Sequence, residues 1–259
     1  MGTYKLTIAY DGRRFAGWAR QPGLRTVQAV LEEGVGRILG GAEVALTVAG
    51  RTDAGVHATG QVASFEVTRE PPDRFAERIN AVLPRDLAVS AAEPAPDGFD
   101  ARRWARSRSY RYRILATRTR DPLEEGRALW WPYPLDRAAL DACAQAIVGD
   151  NDFIAFTPTE TKHVRFRRRV LRAEWGNESD AVVAFSIEAD AFMRSMIRVL
   201  VGTMLEVTSG KRGVEDFRAL LEGAPRERAG ETAPAHGLYF DGVTFGDGPL
   251  EVEYPDASA

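Results

Sequence analysis

The stretch Ala49–Phe65, A-G-R-T-D-A-G-V-H-A-T-G-Q-V-A-S-F, decides how the rest of the chain is read. An apolar run from Val44 to Ala49 enters it. An alternating run leaves it, with Val62, Ser64 and Glu66 set against Ala63, Phe65 and Val67. Such runs mark strands, so the stretch predicts strand, loop, strand. The connection is longer than an ordinary hairpin turn of roughly two to five residues. It holds Arg51, Asp53 and His57, with Gly55 and Gly60 on either side of the histidine. Glycine suits places where the backbone bends or closely approaches something, and loops on a rigid scaffold are where binding and catalysis tend to sit. Spacing alone leaves two readings: a surface loop whose Arg51 and Asp53 pair in solvent, or a reactive site.

Working outward, Tyr4, Leu6, Ile8 and Tyr10 alternate with Lys5, Thr7 and Ala9 as a first strand, closed by Asp11-Gly12. Thr26 is a plausible N-cap for a helix with Val27, Val30, Leu31, Val35 and Ile38 at helical spacing, ended by Gly40-Gly41. After the central strands, Pro71-Pro72 opens a second helix that carries Phe75, Ile79, Val82 and Leu83 and stops at Pro84. A strand over Leu87, Val89 and Ala91 completes the order β-α-β-β-α-β, that of a ferredoxin-like unit. The remaining chain repeats that order without repeating the sequence. A strand around Tyr110–Leu115 precedes a helix capped by Asp136, with Leu140, Cys143, Ile147 and Val148. Strands follow at Val170–Trp175 and Ala181–Ile187, then a long helix from about Ala191 to Val207, a short helix with Phe217, Leu220 and Leu221, and a last strand, Leu238–Phe245. The fold class expected is α+β, with two ferredoxin-like halves: residues 1–98, which carry the Asp53 loop, and residues 99–259. The boundary falls near Pro94 to Phe99.

The chain of 259 residues is long enough for a sizeable core, and its 44% hydrophobic and 27% charged content is that of a soluble globular protein. No apolar run approaches the roughly 18 residues of a membrane span. The start, Met1-Gly2-Thr3-Tyr4-Lys5, enters a strand pattern at once, unlike a signal or transit peptide. With Cys143 as the single cysteine, no intrachain disulfide can form. These features predict a cytoplasmic protein without a membrane partner. The formal net charge of −3 argues against a polyanion ligand only as a total. Arg102, Arg103, Arg106, Arg108, Arg111 and Arg113 form one cluster, and Lys162, Arg165, Arg167, Arg168, Arg169 and Arg172 another. Screening confines each charge to about 10 Å, so a local basic face can hold a polyanion on an acidic protein. Lysines are few, so arginine is also simply this chain's default cation; that accounts for residue type but not for clustering.

Several chemistries find no support. Gly34-Val35-Gly36 with Gly40 lies inside a helix pattern, not at a strand-to-helix turn, so it is no dinucleotide fingerprint. His57, His163 and His236 lack metal-ligand spacing, so no zinc site is expected, and there is no phosphate-binding Gly-x-x-x-x-Gly-Lys, so nucleotide hydrolysis is not. On the long helix Arg194 and Arg198 stand four apart on one face. Arg198 has apolar neighbours on both sides. If buried, it requires a carboxylate partner, because an unpaired buried charge costs several kcal/mol; otherwise it snorkels to water. Tyr110, in an Arg-rich strand, reads first as a ring packed on a sheet.

Taken together, the residues resemble the tRNA pseudouridine synthase A (TruA) family. The matches run through Tyr10-Asp11-Gly12, Phe15, Gly17-Trp18, Gln21-Pro22 and Thr26-Val27-Gln28 to Gly50-Arg51-Thr52-Asp53-Ala54-Gly55-Val56-His57-Ala58 and Gly60-Gln61-Val62. They continue through Asn80, Leu83-Pro84, Phe99-Asp100-Ala101-Arg102, Arg108-Ser109-Tyr110-Arg111-Tyr112, Asp152-Phe153, Met196-Ile197-Arg198, Gly202 and Pro234-Ala235-His236-Gly237-Leu238. Trp104, Asn151 and Met193 depart from the usual pattern, away from the candidate catalytic positions. The resemblance covers essentially the full chain. It implies conversion of uridine to pseudouridine at positions 38, 39 and 40 of the tRNA anticodon stem-loop, without cofactor or metal. It also implies a homodimer, and a fold in which the antiparallel sheets of the two halves join, with the active-site cleft between them.

By the same resemblance Asp53 is the catalytic carboxylate, adding to C6 of the base or to C1′ of the sugar, or abstracting a sugar proton. In a dry pocket a carboxylate tends to protonate, so an opposite charge is needed, and Arg198 is expected to supply it. Tyr110 matches the tyrosine that packs on the target base and assists proton transfer. The uridine must leave its stack to be reached, and Arg51 matches the residue inserted where the base has left. The arginine clusters, Arg167, Arg168 and Arg169 foremost, would hold phosphates and place the RNA by shape. His57 is expected to be a structural hydrogen-bonder in the loop. The rival readings are a family member acting at other RNA positions, an RNA glycosidase, and a non-catalytic RNA-binding protein; the last should show an RNP1-type aromatic pattern, which the sequence lacks.

Overall fold

In chain order the elements are β1 (Gly2–Tyr10), α1 (Val27–Ile38), β2 (Thr47–Val48), β3 (His57–Val67), α2 (Phe75–Asn80), β4 (Leu87–Ala95), β5 (Ala105–Leu115), β6 (Leu129–Trp130), α3 (Arg137–Ala146), β7 (Gly149–Asp152), β8 (Arg167–Asn177), β9 (Val182–Ala189), α4 (Met196–Thr208), α5 (Val214–Ala219) and β10 (Leu238–Phe245). They come from a computed structural model that describes residues 2–67, 70–161 and 164–250. The architecture is mixed α+β, in two compact units. One holds the described residues up to Arg108 and those from Tyr239 to Leu250; the other holds those of Ser109–Leu238.

In the first unit β1 lies between β4 and β3, antiparallel to both. One edge of β3 is shared: β2 pairs with it antiparallel at Ser64 and Ala63, and β10 pairs with it in parallel at His57 and Ala58. Helix α1 forms where local signals agree. The Thr26 side chain accepts a hydrogen bond from the Ala29 N–H at 3.4 Å, and Val27, Leu31 and Val35, four residues apart, are fully buried. Burying each such side chain stabilises by about 1.5–3 kcal/mol. The helix ends where Gly41 donates back to the Gly36 carbonyl at 2.9 Å, with Gly40 in the left-handed region (φ 77°). Gly36 is a packing glycine, since a Cβ there would stand 2.5 Å from the Ala42 carbonyl oxygen.

The second unit orders its strands β5-β9-β8-β7, with β6 on β5. Asp136 caps α3 by accepting from the Ala139 N–H at 3.0 Å. Val199, Leu200, Val201, Thr203 and Met204 of α4 are all fully buried, as in a helix surrounded by protein. Among the described residues no helix is long and apolar enough to cross a membrane.

Four sequence expectations change. β2 is two residues, not the run from Val44 to Ala49, and His57 is the first residue of β3 and not part of the loop. α4 starts at Met196, not near Ala191, because Ser195 sits in the left-handed region (φ 58°) and Asp190 accepts a hydrogen bond from the Ala191 N–H. Arg194 therefore lies outside the helix and does not share a helical face with Arg198; it donates to the Glu160 carbonyl at 3.2 Å. Lastly, β6 and β7 have no counterpart in the sequence reading, being too short for periodicity to mark.

Candidate active site

The segment between β2 and β3 is fastened almost peptide by peptide. At Ala49 the N–H still donates to the Val62 carbonyl at 2.9 Å, but the reciprocal bond of an antiparallel pair is replaced. The Val62 N–H goes to the Gln61 side-chain oxygen at 3.1 Å, and the Ala49 carbonyl accepts from Arg108 Nε at 3.0 Å. Next, the Gly50 carbonyl accepts from Gln61 Nε2 at 2.8 Å. The Thr52 carbonyl accepts from the Trp18 N–H at 3.0 Å, and the Thr52 hydroxyl lies 2.8 Å from the Tyr10 hydroxyl. Burial pushes the Tyr10 phenol up to about 12, so it stays protonated in this pair. A turn then closes from the Val56 N–H to the Asp53 carbonyl at 3.2 Å, with Gly55 at φ 80°.

This loop rests on the segment after β1. A Cβ on Gly12 would stand 2.0 Å from the Val56 carbonyl oxygen, and one on Gly17, at φ 90°, would stand 2.9 Å from the Thr52 carbonyl oxygen. His57 is buried at 3% exposure, stacked on Tyr239 at 4.6 Å, and its Nδ1 accepts from the Gly12 N–H at 3.1 Å. A nitrogen that accepts a backbone N–H carries no proton, so its 3.4 Å approach to Asp11 Oδ1 is not an ion pair through that atom. His57 does hydrogen-bond structurally, from a strand and not from the loop. Asp53 is half-exposed and Arg51 exposed. Among the described residues Arg51 forms no ion pair, so the solvent Arg51–Asp53 pair left open by spacing is not present.

In the second unit Arg198 is half-buried near the start of α4. Its Nε donates to the Ala233 carbonyl at 2.8 Å, and its own carbonyl accepts the Ala233 N–H at 3.1 Å. The segment from Gly230 to Gly237 runs on as a strap. Gly230 donates to the buried Thr203 hydroxyl at 2.9 Å, and a Cβ on Gly202 would stand 1.9 Å from the Glu231 carbonyl oxygen. Fully buried Tyr112 donates to the Pro234 carbonyl at 2.9 Å, and its ring leaves no room for a Cβ on Gly237. Burial raises the Tyr112 phenol while the Arg198 charge pulls it down. In the strap, burial lowers His236 below its ordinary 6.5; Glu125 and a hydrogen bond at Ala128 oppose this, and Arg198 adds to it. Tyr110 is buried at 8% exposure, with its ring edge-on to Phe192 at 5.0 Å.

The two arginine clusters part company. In the first, Arg106 donates to the Gly248 carbonyl at 2.7 Å. Arg108 is buried on backbone carbonyls, and Arg113 pairs with Glu124 at 2.6 Å and Glu178 at 2.9 Å. Although burial works against the Arg113 charge, these carboxylates hold its pKa above the usual value. These three are occupied internally, which corrects their assignment to phosphates: β5 is a core strand, and its arginines meet protein. In the second, Arg165, Arg167, Arg169 and Arg172 are exposed and Arg168 half-buried; Lys162 lies outside the described residues. Strand register sets Arg167 opposite Asp152 and Arg169 opposite Asp150 without an ion pair between them; Arg167 donates to the Asp150 carbonyl at 2.9 Å, and Arg168 to the Arg165 and Arg167 carbonyls at 2.9 and 2.7 Å. Among the described residues no three His, Cys, Asp or Glu side chains gather as metal ligands would.

An α+β chain with a carboxylate on a fastened loop and an arginine on a strapped helix matches, over residues 6–102 and 143–246, the family model described as tRNA pseudouridine synthase. That is a class of isomerase that converts uridine to pseudouridine. The tRNA pseudouridine synthase A of Myxococcus xanthus is 42% identical over 96% of this chain and 94% of its own length. The proteins of that name in Frankia casuarinae (43% identical; 95% of this chain, 90% of theirs) and Halalkalibacterium halodurans (37%; 95% and 94%) are similar over comparable lengths. The chain belongs to the tRNA pseudouridine synthase family and is an isomerase of tRNA uridine.

Proposed function

We propose that this enzyme forms pseudouridine at positions 38, 39 and 40 of the tRNA anticodon stem-loop, with Asp53 as the catalytic carboxylate. The observation that carries the reading is the fastening of residues 49–56: the Ala49, Gly50, Thr52 and Asp53 carbonyls all have partners, so the backbone under the Asp53 side chain is held at four points. Catalysis that breaks C1′–N1 and makes C1′–C5 rewards such preorganisation, because a reacting group held in place loses no entropy at the transition state. Arg198 is the counter-charge to Asp53, and Tyr110 is the ring against the base. Arg51, exposed and two residues before Asp53, enters the space the base leaves, and Arg167, Arg168 and Arg169 meet phosphates.

Our reading of the fold is two ferredoxin-like halves, 1–98 and 99–259, whose antiparallel sheets join, although by packing the residues up to Arg108 and the last strand, β10, from Tyr239 on, go with the first unit. The strand order β4-β1-β3-β2 with α1 and α2 between supports it for the first half. We further take the enzyme to be a cytoplasmic homodimer that needs no cofactor; its mass in solution tests the dimer. Carbodiimide mapping of tRNA transcripts after incubation tests the target sites. Expected is product at 38, 39 and 40 with no change in RNA mass. Product elsewhere overturns the positions, and loss of mass as free uracil overturns the isomerase assignment in favour of a glycosidase.

A further inference from the structure

We infer that Arg108 is a positioning residue for the Asp53 loop, acting through the carbonyl of Ala49. This rests on the reading of Asp53 as the catalytic carboxylate. The guanidinium is buried, with 9% exposure, and its donors are aimed at three separate pieces of backbone. Nε donates to the Ala49 carbonyl at 3.0 Å, Nη2 to the Arg102 carbonyl at 3.0 Å and Nη1 to the Ala105 carbonyl at 3.4 Å. Ala49 is where the chain leaves the β2–β3 ladder: the Val62 N–H that would meet its carbonyl is bonded instead to Gln61. A buried carbonyl freed from a ladder needs another donor, and Arg108 provides it, four residues before Asp53. Gln61 holds the next carbonyl, at Gly50. The two side chains thus set the point and direction at which the loop departs.

The fork geometry explains the residue type. Arginine alone carries five N–H donors in a fixed plane, and so can hold three diverging carbonyls at once; a lysine ammonium on a flexible stem cannot reproduce that plane. The same bonds argue against Arg108 as a phosphate contact, since donors committed to internal carbonyls are not offered to RNA.

Arg108→Lys and Arg108→Met separate these roles in the intact enzyme, with tRNA transcripts as substrate. A positioning role predicts that both variants lose kcat by about 100-fold, the order expected for a misplaced reacting group. The KM for tRNA and the dependence of binding on salt should stay near those of the unaltered enzyme. Unchanged kcat in folded Arg108→Lys overturns the inference. So does a loss confined to KM with a shallower salt slope in Arg108→Met and rescue by Lys, the signature of a phosphate contact. Should Arg108→Met fail to fold, Arg108→Lys decides alone. Asp53→Asn assayed in parallel keeps the two ideas apart. An inactive Asp53→Asn beside a normal Arg108→Lys sinks only the positioning role, whereas an active Asp53→Asn sinks the underlying reading and this inference with it.

Discussion

Asp53 and Arg198 stand on backbones that are satisfied in different ways. Asp53 stands on a loop with no helix or ladder to satisfy its backbone, so side chains and distant peptides do that work: Arg108, Gln61 and the Trp18 N–H each reach a loop carbonyl, and Tyr10 meets the Thr52 hydroxyl. Arg198 stands on α4, whose backbone satisfies itself; what the helix needs is a lateral partner, and the strap from Gly230 to Gly237 lies on it through Gly202, Thr203 and Ala233. The loop depends on distant donors for its carbonyls and the helix does not, while close glycine contacts serve both. The two mounts should therefore fail differently when perturbed.

The largest effect is expected at the charges themselves. Asp53→Asn should abolish pseudouridine formation while tRNA binding persists; measurable turnover would remove the carboxylate from the chemistry. Next, Arg198→Ala should lower kcat by about 100-fold or more, as loss of one preorganised charge does, and near-normal single-turnover rates would take it out of the site. The mounts are compared most directly by their glycines. Gly12→Ala pushes a methyl into the Val56 carbonyl, and Gly202→Ala pushes one into Glu231. Each should cost about 1–3 kcal/mol by denaturant titration. Gly12→Ala should lower kcat beyond its effect on stability, because the loop has no secondary structure to absorb the shift, whereas α4 can move as a body. Equal activity losses in the two variants would erase the contrast.

Smaller effects fall outside the mounts. Replacing Arg167, Arg168 and Arg169 together by Ala should weaken tRNA binding and flatten its salt dependence, by about one in slope for each phosphate that is no longer neutralised. An unchanged slope would mean that Asp150 and Asp152, opposite in register, already neutralise that edge. The smallest effect is the pH response of the strap. His236 is held below 6.5 in the folded protein, so the unfolded chain takes up the proton more readily. Its contribution to stability is complete above 6.5 and is lost as pH falls through the folded value. His236→Asn should reduce the decline of Tm measured between about pH 7 and 5, and an identical decline would place the acid sensitivity elsewhere.

Much of this was legible in the chain where signals are local. Thr26 and Gly40-Gly41 bound α1 because capping depends on neighbours within a turn. The Asp53 loop stood out because ionisable side chains and glycines crowd a connection between two strand patterns. The start of α4 did not, because the apolar pattern runs on through Ala191–Met193 and nothing local announces a left-handed Ser195. Gln61, fully buried in a strand, was a missed signal: a polar side chain at a core position needs a partner, and its partner is the loop. The fates of the clustered arginines were not legible at all. Arg108 and Arg167 look alike in sequence, yet one is buried on carbonyls and the other is exposed.

The sequence by itself determined the longer elements, their order, and which residue types are offered to chemistry, since propensity, capping and periodicity act over a few residues and mark only elements of some length. Only the tertiary structure decided which of those residues stand ready and which are spent as supports. The bonds that decide it join Ala49 to Arg108 across 59 positions and Arg198 to Ala233 across 35. A hydrogen bond between residues so far apart leaves no periodic trace in the chain. It exists only once packing has brought a donor to a carbonyl that has lost its ladder.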